Sequence, residues 1–246
     1  MMISAFIPQL RNAIIGLVLG VAPLWVSLSH AHGVTLVVHH FLPADSAFHT
    51  EFLVPWTQKL EKESAGLLRF RFYPAMQMGG EPGQLVEQVS DRSADIVLTL
   101  SRHAPGRFPA MEAFEVAAFQ HSAQGASRAA WEYFRINSLA EKEFDELRLL
   151  AVCLLPSTNK GKASDVGLLL MNGRSYKALT ENLRAVVNAN SGEDTSVWLA
   201  KVLGGKAPEG TNQQALESWI EEATKRGLNG KALAQSAQSL IVKHDK

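Results

Sequence analysis

The sequence predicts an α/β fold built around a parallel sheet. Three short runs of β-branched and aromatic residues begin near Val34, Leu68 and Asp95, and each run ends in a polar loop rich in turn residues. Helical patterns separate these runs, which is the spacing of βαβ units. Because crossovers between parallel strands are right-handed, all three strand ends are expected at one edge of the sheet. Ligands bind at that edge in open α/β sheets.

The N-terminal segment is expected to direct the chain out of the cytoplasm. Arg11 precedes an apolar run from Ala13 to Leu28, and Ser29-His30-Ala31 supplies small residues where signal peptidase needs them. This order and length are typical of a cleaved signal peptide over residues 1–31 and are short for a membrane span. An uncleaved anchor is the alternative, but no basic cluster follows the apolar run. We therefore expect a periplasmic protein that begins at His32.

Composition excludes several classes of function. The 246 residues carry no net charge and have a pI near 7.1, so nothing suggests binding to nucleic acid or to an anionic membrane. The single cysteine, Cys153, lies in an apolar run and is expected to be a buried thiol. No nucleophile elbow, HExxH motif or Gly-rich phosphate loop is present, and Gly79-Gly80 is interpreted as a turn. We expect no enzymatic activity, no cofactor and no metal.

The first predicted helix follows the first strand. Apolar residues recur there every four positions, with charged residues between them. Ser46 is expected to cap this helix, Gly66 to end it, and Pro55 to bend it. The apolar positions are Phe48, Phe52, Trp56 and Leu60.

The remaining elements alternate in the same way. Apolar runs predict strands over Leu68–Tyr73, Asp95–Leu100, Leu149–Leu155 and Val166–Met171. Helical spacing predicts helices over Gly83–Asp91, Ser122–Phe134, Leu139–Leu147, Gln213–Arg226 and Lys231–Lys243. A single long helix is predicted from about Tyr176 to Leu203, ended by Gly204-Gly205.

Several stretches resemble one protein family. The N-terminal lobe of TRAP-transporter solute-binding proteins is similar to HHFLPADSAFH, FLVPWTQKLEKES, FRFYPAMQMGGEP, SADIV and APGRFP. That family's strand and spine helix resemble LLLMNGRSYKALTENLRAVVNANSG, and its C-terminal end resembles ATKRGLNGKALAQSAQSLI. These proteins are DctP-like periplasmic receptors for C4-dicarboxylates and related organic acids. The resemblance implies a periplasmic binding protein type of α/β fold, a small organic-acid ligand and TRAP permease membrane subunits as partners.

One segment that the resemblance implies is missing. Between LLPSTNKGKAS and VGLLLMN, members of the family carry a further strand with the Arg that grips the ligand carboxylate, and no such strand is found here. The second lobe is therefore expected in reduced form. The predicted divisions are a signal peptide (1–31), a first α/β lobe (32–121), a remnant of the second lobe (122–160), a strand with the long spine helix (166–203) and a helical tail (204–246).

The candidate ligand-binding residues follow the three predicted parallel strands. One interpretation places the two histidines of the first strand in the cleft, and the other places one in the core and one in solvent. Arg102 is a candidate cation for an anionic ligand, whereas Arg107 in the APGRFP turn is interpreted as a scaffold residue. The candidates are His39, His40, Phe41, Gln77, Thr99, Ser101, Arg102 and His103.

Two other classes of function stay open from the sequence. The chain could be a periplasmic interaction module, or a decayed receptor, rather than a working receptor for transport. A mature N-terminal His32 with a second histidine could also hold copper, although the scaffolds that use this arrangement are β-sandwiches and this pattern alternates β with α. Ligand titration separates the first class from a receptor, and copper titration tests the second.

Overall fold

A computed structural model describes residues 33–116, 122–157, 164–204 and 213–244. These residues form a five-stranded sheet in the order β2-β1-β3-β5-β4. The strands are β1 Val34–His40, β2 Leu68–Tyr73, β3 Ile96–Leu100, β4 Leu147–Pro156 and β5 Ser164–Asn172. β1 lies between β2 and β3 and is parallel to both, whereas β5 is antiparallel to β3 and to β4. The predicted parallel unit is confirmed, and β5 joins the same sheet.

Helices surround this sheet, and most begin where the sequence predicts. Those before β4 are α1 Val54–Glu63, α2 Leu85–Ser90, α3 Ala113–Val116, α4 Ala123–Ile136 and α5 Leu139–Lys142. Those after β5 are α6 Gly173–Ala178, α7 Glu181–Ala189, α8 Glu193–Leu203, α9 Gln213–Lys225 and α10 Gly230–His244. None of these helices is both long enough and apolar enough to cross a bilayer.

A π-helical turn accommodates Pro55 at the start of α1. Proline lacks an N–H and its ring clashes with the carbonyl four residues earlier in an α-helix. Here the six residues Phe48–Leu53 are π-helical, and the Val54 N–H donates to the His49 carbonyl five residues back. Ser46 begins the segment as predicted, since its hydroxyl accepts a hydrogen bond from the His49 N–H at 3.3 Å. The predicted bend is thus a change from π-helix to α-helix.

The prediction of one long spine helix is wrong, because the chain forms the three helices α6, α7 and α8 instead. Thr180 is extended between α6 and α7, and its hydroxyl caps α7 by accepting from the Leu183 N–H. Gly192 precedes α8 with a φ of 105°, a conformation that L side chains rarely adopt. The predicted helix over Leu139–Leu147 is also too long, because α5 ends at Lys142 and β4 begins at Leu147.

Side chains and backbone from two helical segments protect the edge strand β4. The Val152 N–H donates to the Ser196 hydroxyl at 3.0 Å, and the Leu154 N–H donates to the Ser127 hydroxyl at 2.9 Å. On the same strand, the Leu150 carbonyl accepts from the Gly192 N–H at 2.8 Å. An uncovered edge strand would present these groups to other chains, so α4 and α8 remove an aggregation risk. The segment predicted as a remnant of a second lobe thus lies in the same sheet as the first lobe.

The core is continuous across the parallel and antiparallel halves of the sheet. Trp56 of α1 is almost fully buried, and its indole N–H donates to the Asn190 carbonyl after α7 at 2.8 Å. Phe52 contacts Trp198 of α8 edge to face, with ring centroids 5.1 Å apart. Cys153 is fully buried, and burial raises the pKa of its thiol to about 12, as a structural thiol requires. The residues from His32 onward therefore form one compact unit.

Candidate functional site

The carboxyl edge of the parallel strands borders a cavity of about 210 Å³. β5 is antiparallel to β3, so its first residues lie beside the end of β3, with Leu100 opposite Gly167. The end of β4 reaches the same edge, with Leu155 opposite Asp165. This space is called the edge cavity below. It is bounded by the residues that follow β1, by the ends of β3 and β4, and by the start of β5. Its apolar lining includes Phe41, Leu42, Leu98, Leu100, Leu155, Pro156 and Leu203.

Two charged side chains, Arg102 and Asp165, also line the edge cavity. Arg102 Nε lies 3.5 Å from Asp165 Oδ2, with the arginine side chain 28% exposed and the aspartate side chain 5% exposed. That separation is longer than a charge-assisted hydrogen bond, which is roughly 2.7–2.9 Å. Arg102 Nε is buried and has no hydrogen-bond partner among the described residues. The Ser157 hydroxyl donates to the other carboxylate oxygen, Asp165 Oδ1, at 3.0 Å.

His103 lies beside this pair. Its ring meets Phe41 edge to face, with the centroids 4.9 Å apart. Burial lowers the pKa of His103, the nearby Arg102 lowers it further, and Asp165 opposes the shift. The imidazole is therefore neutral near pH 7, so it does not act as a second cation at the cavity.

The structure places three of the eight predicted residues at or beside the edge cavity: Phe41 and Arg102 line it, and His103 contacts Phe41. Thr99 is fully buried within β3. Ser101 is buried as well, and its hydroxyl donates to the Glu115 carboxylate of α3. These last two side chains support the strand end and do not line the cavity.

The two histidines of β1 lie on opposite faces of the sheet, as neighbouring residues of a strand must. His39 Nδ1 is 2.7 Å from Gln88 Oε1 of α2, and His40 Nε2 is 3.0 Å from His49 Nδ1 of the π-helical turn. Both imidazoles are fully buried. Burial lowers the pKa of both, and for His40 the neighbouring His49 and His39 contribute to a value of about 3. Neither histidine lines the edge cavity.

Gln77 lies in the turn after β2 and is exposed to solvent. This turn is fastened to the end of β1, since the Ala75 N–H donates to the Leu42 carbonyl at 2.8 Å and the Met76 N–H to the His40 carbonyl at 3.1 Å. Ala75 and Met76 both have positive φ, which turns the chain sharply without glycine. Gln77 therefore does not line the edge cavity in this structure.

Sequence reasoning missed the contribution of β4 and β5 to the edge cavity. Asp165 supplies the buried carboxylate, and Cys153 and Gly167 face each other in the cavity wall. A Cβ added to Gly167 would lie 2.6 Å from the Cys153 sulfur, so only glycine fits beside the thiol. A sequence signal for Asp165 did exist, because an acidic residue directly before an apolar strand marks a strand end.

A larger cavity of about 620 Å³ lies away from the strand ends, between the 106–110 turn, α5 and the start of α10. Its cations are held by backbone carbonyls. Arg107 Nη1 donates to the Glu143 carbonyl at 2.6 Å, and Lys142 Nζ donates to the Asn137 carbonyl at 2.9 Å. The scaffold role predicted for Arg107 agrees with this contact. Phe108 of the same turn is fully buried against Phe144.

No three His, Cys, Asp or Glu side chains in the described ranges are grouped to hold a metal ion. The predicted signal peptide, the predicted N-terminal His32 and its copper alternative lie outside the described residues. They stay predictions.

Comparison with known proteins gives a family match. The family model for bacterial extracellular solute-binding protein, family 7 (DctP), matches residues 38–153, from within β1 to within β4. A search of the curated proteins gave no match.

Solved structures share the fold. A TRAP solute-binding protein from Rhodoferax ferrireducens T118, in complex with copurified benzoate, matches with a TM-score of 0.75 and 24% identity over 86% of this chain and 98% of that chain. A marine metagenome TRAP solute-binding protein specific for aromatic acid ligands, in complex with 3-hydroxybenzoate, matches with a TM-score of 0.74 and 24% identity over 87% and 100%. A Bordetella pertussis extracytoplasmic solute receptor binding pyroglutamic acid has a TM-score of 0.65 at 12% identity over 84% and 100%.

Residues 38–153 are thus similar to the bacterial extracellular solute-binding protein family 7, and the fold of the chain is that of the TRAP-type solute-binding proteins.

Proposed function

We propose that this protein is the extracytoplasmic solute receptor of a TRAP-type transporter and that it binds a small monocarboxylic acid in the edge cavity. The observation that carries the proposal is Arg102, a cation on the wall of a cavity that is otherwise mostly apolar. A guanidinium can hold a carboxylate through two parallel hydrogen bonds, and Arg102 Nε has no hydrogen-bond partner among the described residues. Arg102 thus takes the place of the family's missing clamp residue.

The size and lining of the edge cavity support a small ligand with an apolar body. Cavities for drug-sized ligands measure roughly 300–1,000 Å³, and this one measures about 210 Å³. Phe41, Leu100 and Leu155 offer apolar walls to a ring or a short chain. Two of the similar structures hold benzoate and 3-hydroxybenzoate, which are acids of this kind.

C4-dicarboxylates, the ligands implied by the sequence resemblance, fit the edge cavity less well. A second carboxylate needs a second cation, and burial keeps the nearby His103 neutral by lowering its pKa. Asp165 instead presents a negative charge beside Arg102 and would repel that second carboxylate. Succinate and malate are therefore the comparison ligands, and we expect them to bind more weakly than benzoate.

The rest of the proposal follows the family. An export signal over residues 1–31 would deliver the receptor to the periplasm, and the loaded receptor would dock on TRAP permease membrane subunits. A ligand that contacts one conformation of the receptor better than another shifts the receptor population toward that conformation.

Calorimetric titration of the purified protein with benzoate, succinate and malate tests the proposal. We expect benzoate to bind most tightly and Arg102→Gln to weaken its binding by about tenfold to a hundredfold, the value of one charge-assisted hydrogen bond. Arg102→Lys, which keeps the charge but loses the planar fork, should weaken binding less. Arg71→Gln is the matched control, because Arg71 is exposed on β2 and does not line the edge cavity.

Thermal melting of each variant separates lost binding from lost folding. Binding of no acid by the folded protein would contradict the receptor proposal. Benzoate binding that Arg102→Gln leaves unchanged would contradict the assigned site.

A further inference from the structure

We infer that Asp165 selects the ligand, by accepting a hydrogen bond from an ammonium or hydroxyl group on the carbon next to the ligand's carboxylate. Among monocarboxylic acids of equal shape, the preferred class of ligand is then the α-amino acids, followed by the α-hydroxy acids, with plain acids last. This inference rests on the proposed function and adds to it the chemistry of the second recognition group.

The first support is where the carboxylate lies. Asp165 is in the wall of the edge cavity, and its side chain is only 5% exposed. A buried carboxylate is stable when its oxygens accept hydrogen bonds, and it can accept about four. One oxygen accepts from the Ser157 hydroxyl at 3.0 Å. The other faces Arg102 Nε at 3.5 Å, too far for a good hydrogen bond.

The second support is the spacing of the two charges. Arg102 and Asp165 are close enough for one small molecule to contact both, and Arg102 Nε is buried without a hydrogen-bond partner in the described residues. A zwitterion whose charges are separated by a single carbon would present its carboxylate to the guanidinium and its ammonium to the aspartate. The ligand would complete an ion pair that the protein leaves loose.

The third support is the apolar surrounding of the pair. Leu100 and Leu155 lie in the same wall, so charged groups there are poorly hydrated. An acid without a donor would place its carboxylate on Arg102 and near Asp165, and Asp165 would repel it, because like charges at short range disfavour each other. A donor at the α-carbon changes this repulsion into attraction. Discrimination of this kind is large when a buried polar group of the site would otherwise be left unpaired.

A series of three ligands of equal shape tests the inference. Phenylglycine, mandelate and phenylacetate share a phenyl ring, one carbon and a carboxylate, and at that carbon they carry an ammonium, a hydroxyl and a hydrogen. Calorimetry at pH 7 should show phenylglycine binding about tenfold more tightly than phenylacetate, with mandelate between them.

Asp165→Asn should reduce the advantage of phenylglycine at least tenfold and strengthen phenylacetate binding, because the variant amide carries no negative charge. Asp145→Asn is the matched control, since Asp145 is exposed just before β4 at the opposite end of that strand. If Asp165→Asn does not fold, the order of the three ligands on the unaltered protein still decides the matter.

The outcomes separate the two proposals. Binding of phenylacetate as tight as that of phenylglycine, lost in Arg102→Gln, would overturn the role of Asp165 and leave the receptor proposal intact. Binding of none of the three acids, nor of benzoate, would overturn both. The expected order, combined with its loss in Asp165→Asn, would establish Asp165 as a specificity-determining residue.

Discussion

The edge cavity and the cavity of about 620 Å³ differ in what their cations do. In the larger cavity, Arg107 and Lys142 donate to backbone carbonyls at 2.6 and 2.9 Å, so both charges hold the turn and helix ends in place. In the edge cavity, Arg102 Nε lies 3.5 Å from the Asp165 carboxylate and has no hydrogen-bond partner among the described residues. The larger cavity is about 620 Å³ and the smaller about 210 Å³. A buried arginine nitrogen without a hydrogen-bond partner, rather than volume, therefore distinguishes the edge cavity from this larger one.

Two buried titratable groups, one next in sequence to a residue of the edge cavity and one in the wall of the larger cavity, respond to pH in opposite directions. His40 directly precedes Phe41 of the edge cavity, and its pKa is lowered to about 3. Glu143 lies at the larger cavity, and its pKa is raised to about 7. Stability measured across pH can therefore test the comparison on both sides.

The largest effect is expected from His40. Burial first, and then the nearby His49 and His39, lower its pKa from 6.5 to about 3, so the folded protein keeps it neutral. The unfolded chain takes up this proton below pH 6.5, and stability should fall as the pH drops from there towards 3. At pH 4.5, His40 lowers the free energy of unfolding by about 3 kcal/mol relative to pH 8.

Urea unfolding at pH 8 and pH 4.5 measures this contribution. His40→Gln should lose about 3 kcal/mol less stability between the two pH values than the unaltered protein does. The rest of the loss stays, because burial also lowers the pKa values of His39, His49 and His103. An equal loss in the variant would show that other groups carry the acid sensitivity.

A smaller effect of opposite sign is expected from Glu143. Burial raises its pKa from 4.5 to about 7, against the stabilising N–H groups of Ala110 and Met111. The folded state prefers the protonated carboxyl, so this contribution to stability is complete below pH 4.5 and is lost as the pH rises through 7. Between pH 5.5 and 8.5, the Glu143 contribution lowers the free energy of unfolding by about 2 kcal/mol.

Glu143→Gln should remove that loss, because the amide oxygen can still accept from the Ala110 N–H, which lies 2.6 Å from the present carboxylate. Unfolding curves at pH 5.5 and 8.5 measure the change. The His40→Gln variant is the comparison: it should keep the loss due to Glu143, and it should lose more stability from pH 5.5 to 8.5 than the unaltered protein, because it lacks the gain that His40 gives as the pH rises through 6.5. A variant that still loses stability at pH 8.5 would place the titrating group elsewhere.

The same contrast shows what could be predicted from the sequence. Strand spacing and right-handed crossovers involve segments that are neighbours in the sequence, so one sequence is enough to recognise them. They predicted the parallel unit and placed Phe41 and Arg102 at its edge. Whether His39 or His40 faces the site depended on strand parity, and both are buried against helices instead. The role of Asp165 depends on antiparallel pairing of β5 with β3 and β4, which one sequence does not reveal.

Helix continuity was the other limit of prediction. Apolar spacing runs on through Thr180 and Gly192, so periodicity alone predicted a single helix from Tyr176 to Leu203. The breaks depend on a side-chain cap at Thr180 and a positive φ at Gly192. The Gly192 N–H is also used to cover the edge of β4, which is a tertiary requirement.

The smallest expected effect tests the packing of the edge-cavity wall. A Cβ at Gly167 would lie 2.6 Å from the Cys153 sulfur, so Gly167→Ala forces the thiol to move. Overpacking of a core costs about 1–3 kcal/mol, and we expect the lower end because the cavity can receive the displaced sulfur. The displaced thiol would narrow the ligand space, so benzoate affinity should fall together with stability.

Removing the sulfur should reverse both effects. The next nearest atoms to the added Cβ are the Cys153 carbonyl oxygen at 3.5 Å and Leu100 Cδ2 at 3.7 Å, which are ordinary contacts. The double variant Gly167→Ala with Cys153→Ala should therefore be more stable than the sum of the two single changes predicts, and a double-mutant cycle from urea unfolding measures this coupling. Additive changes would mean that the thiol and the glycine do not constrain each other, and that the wall of the edge cavity is looser than the structure indicates.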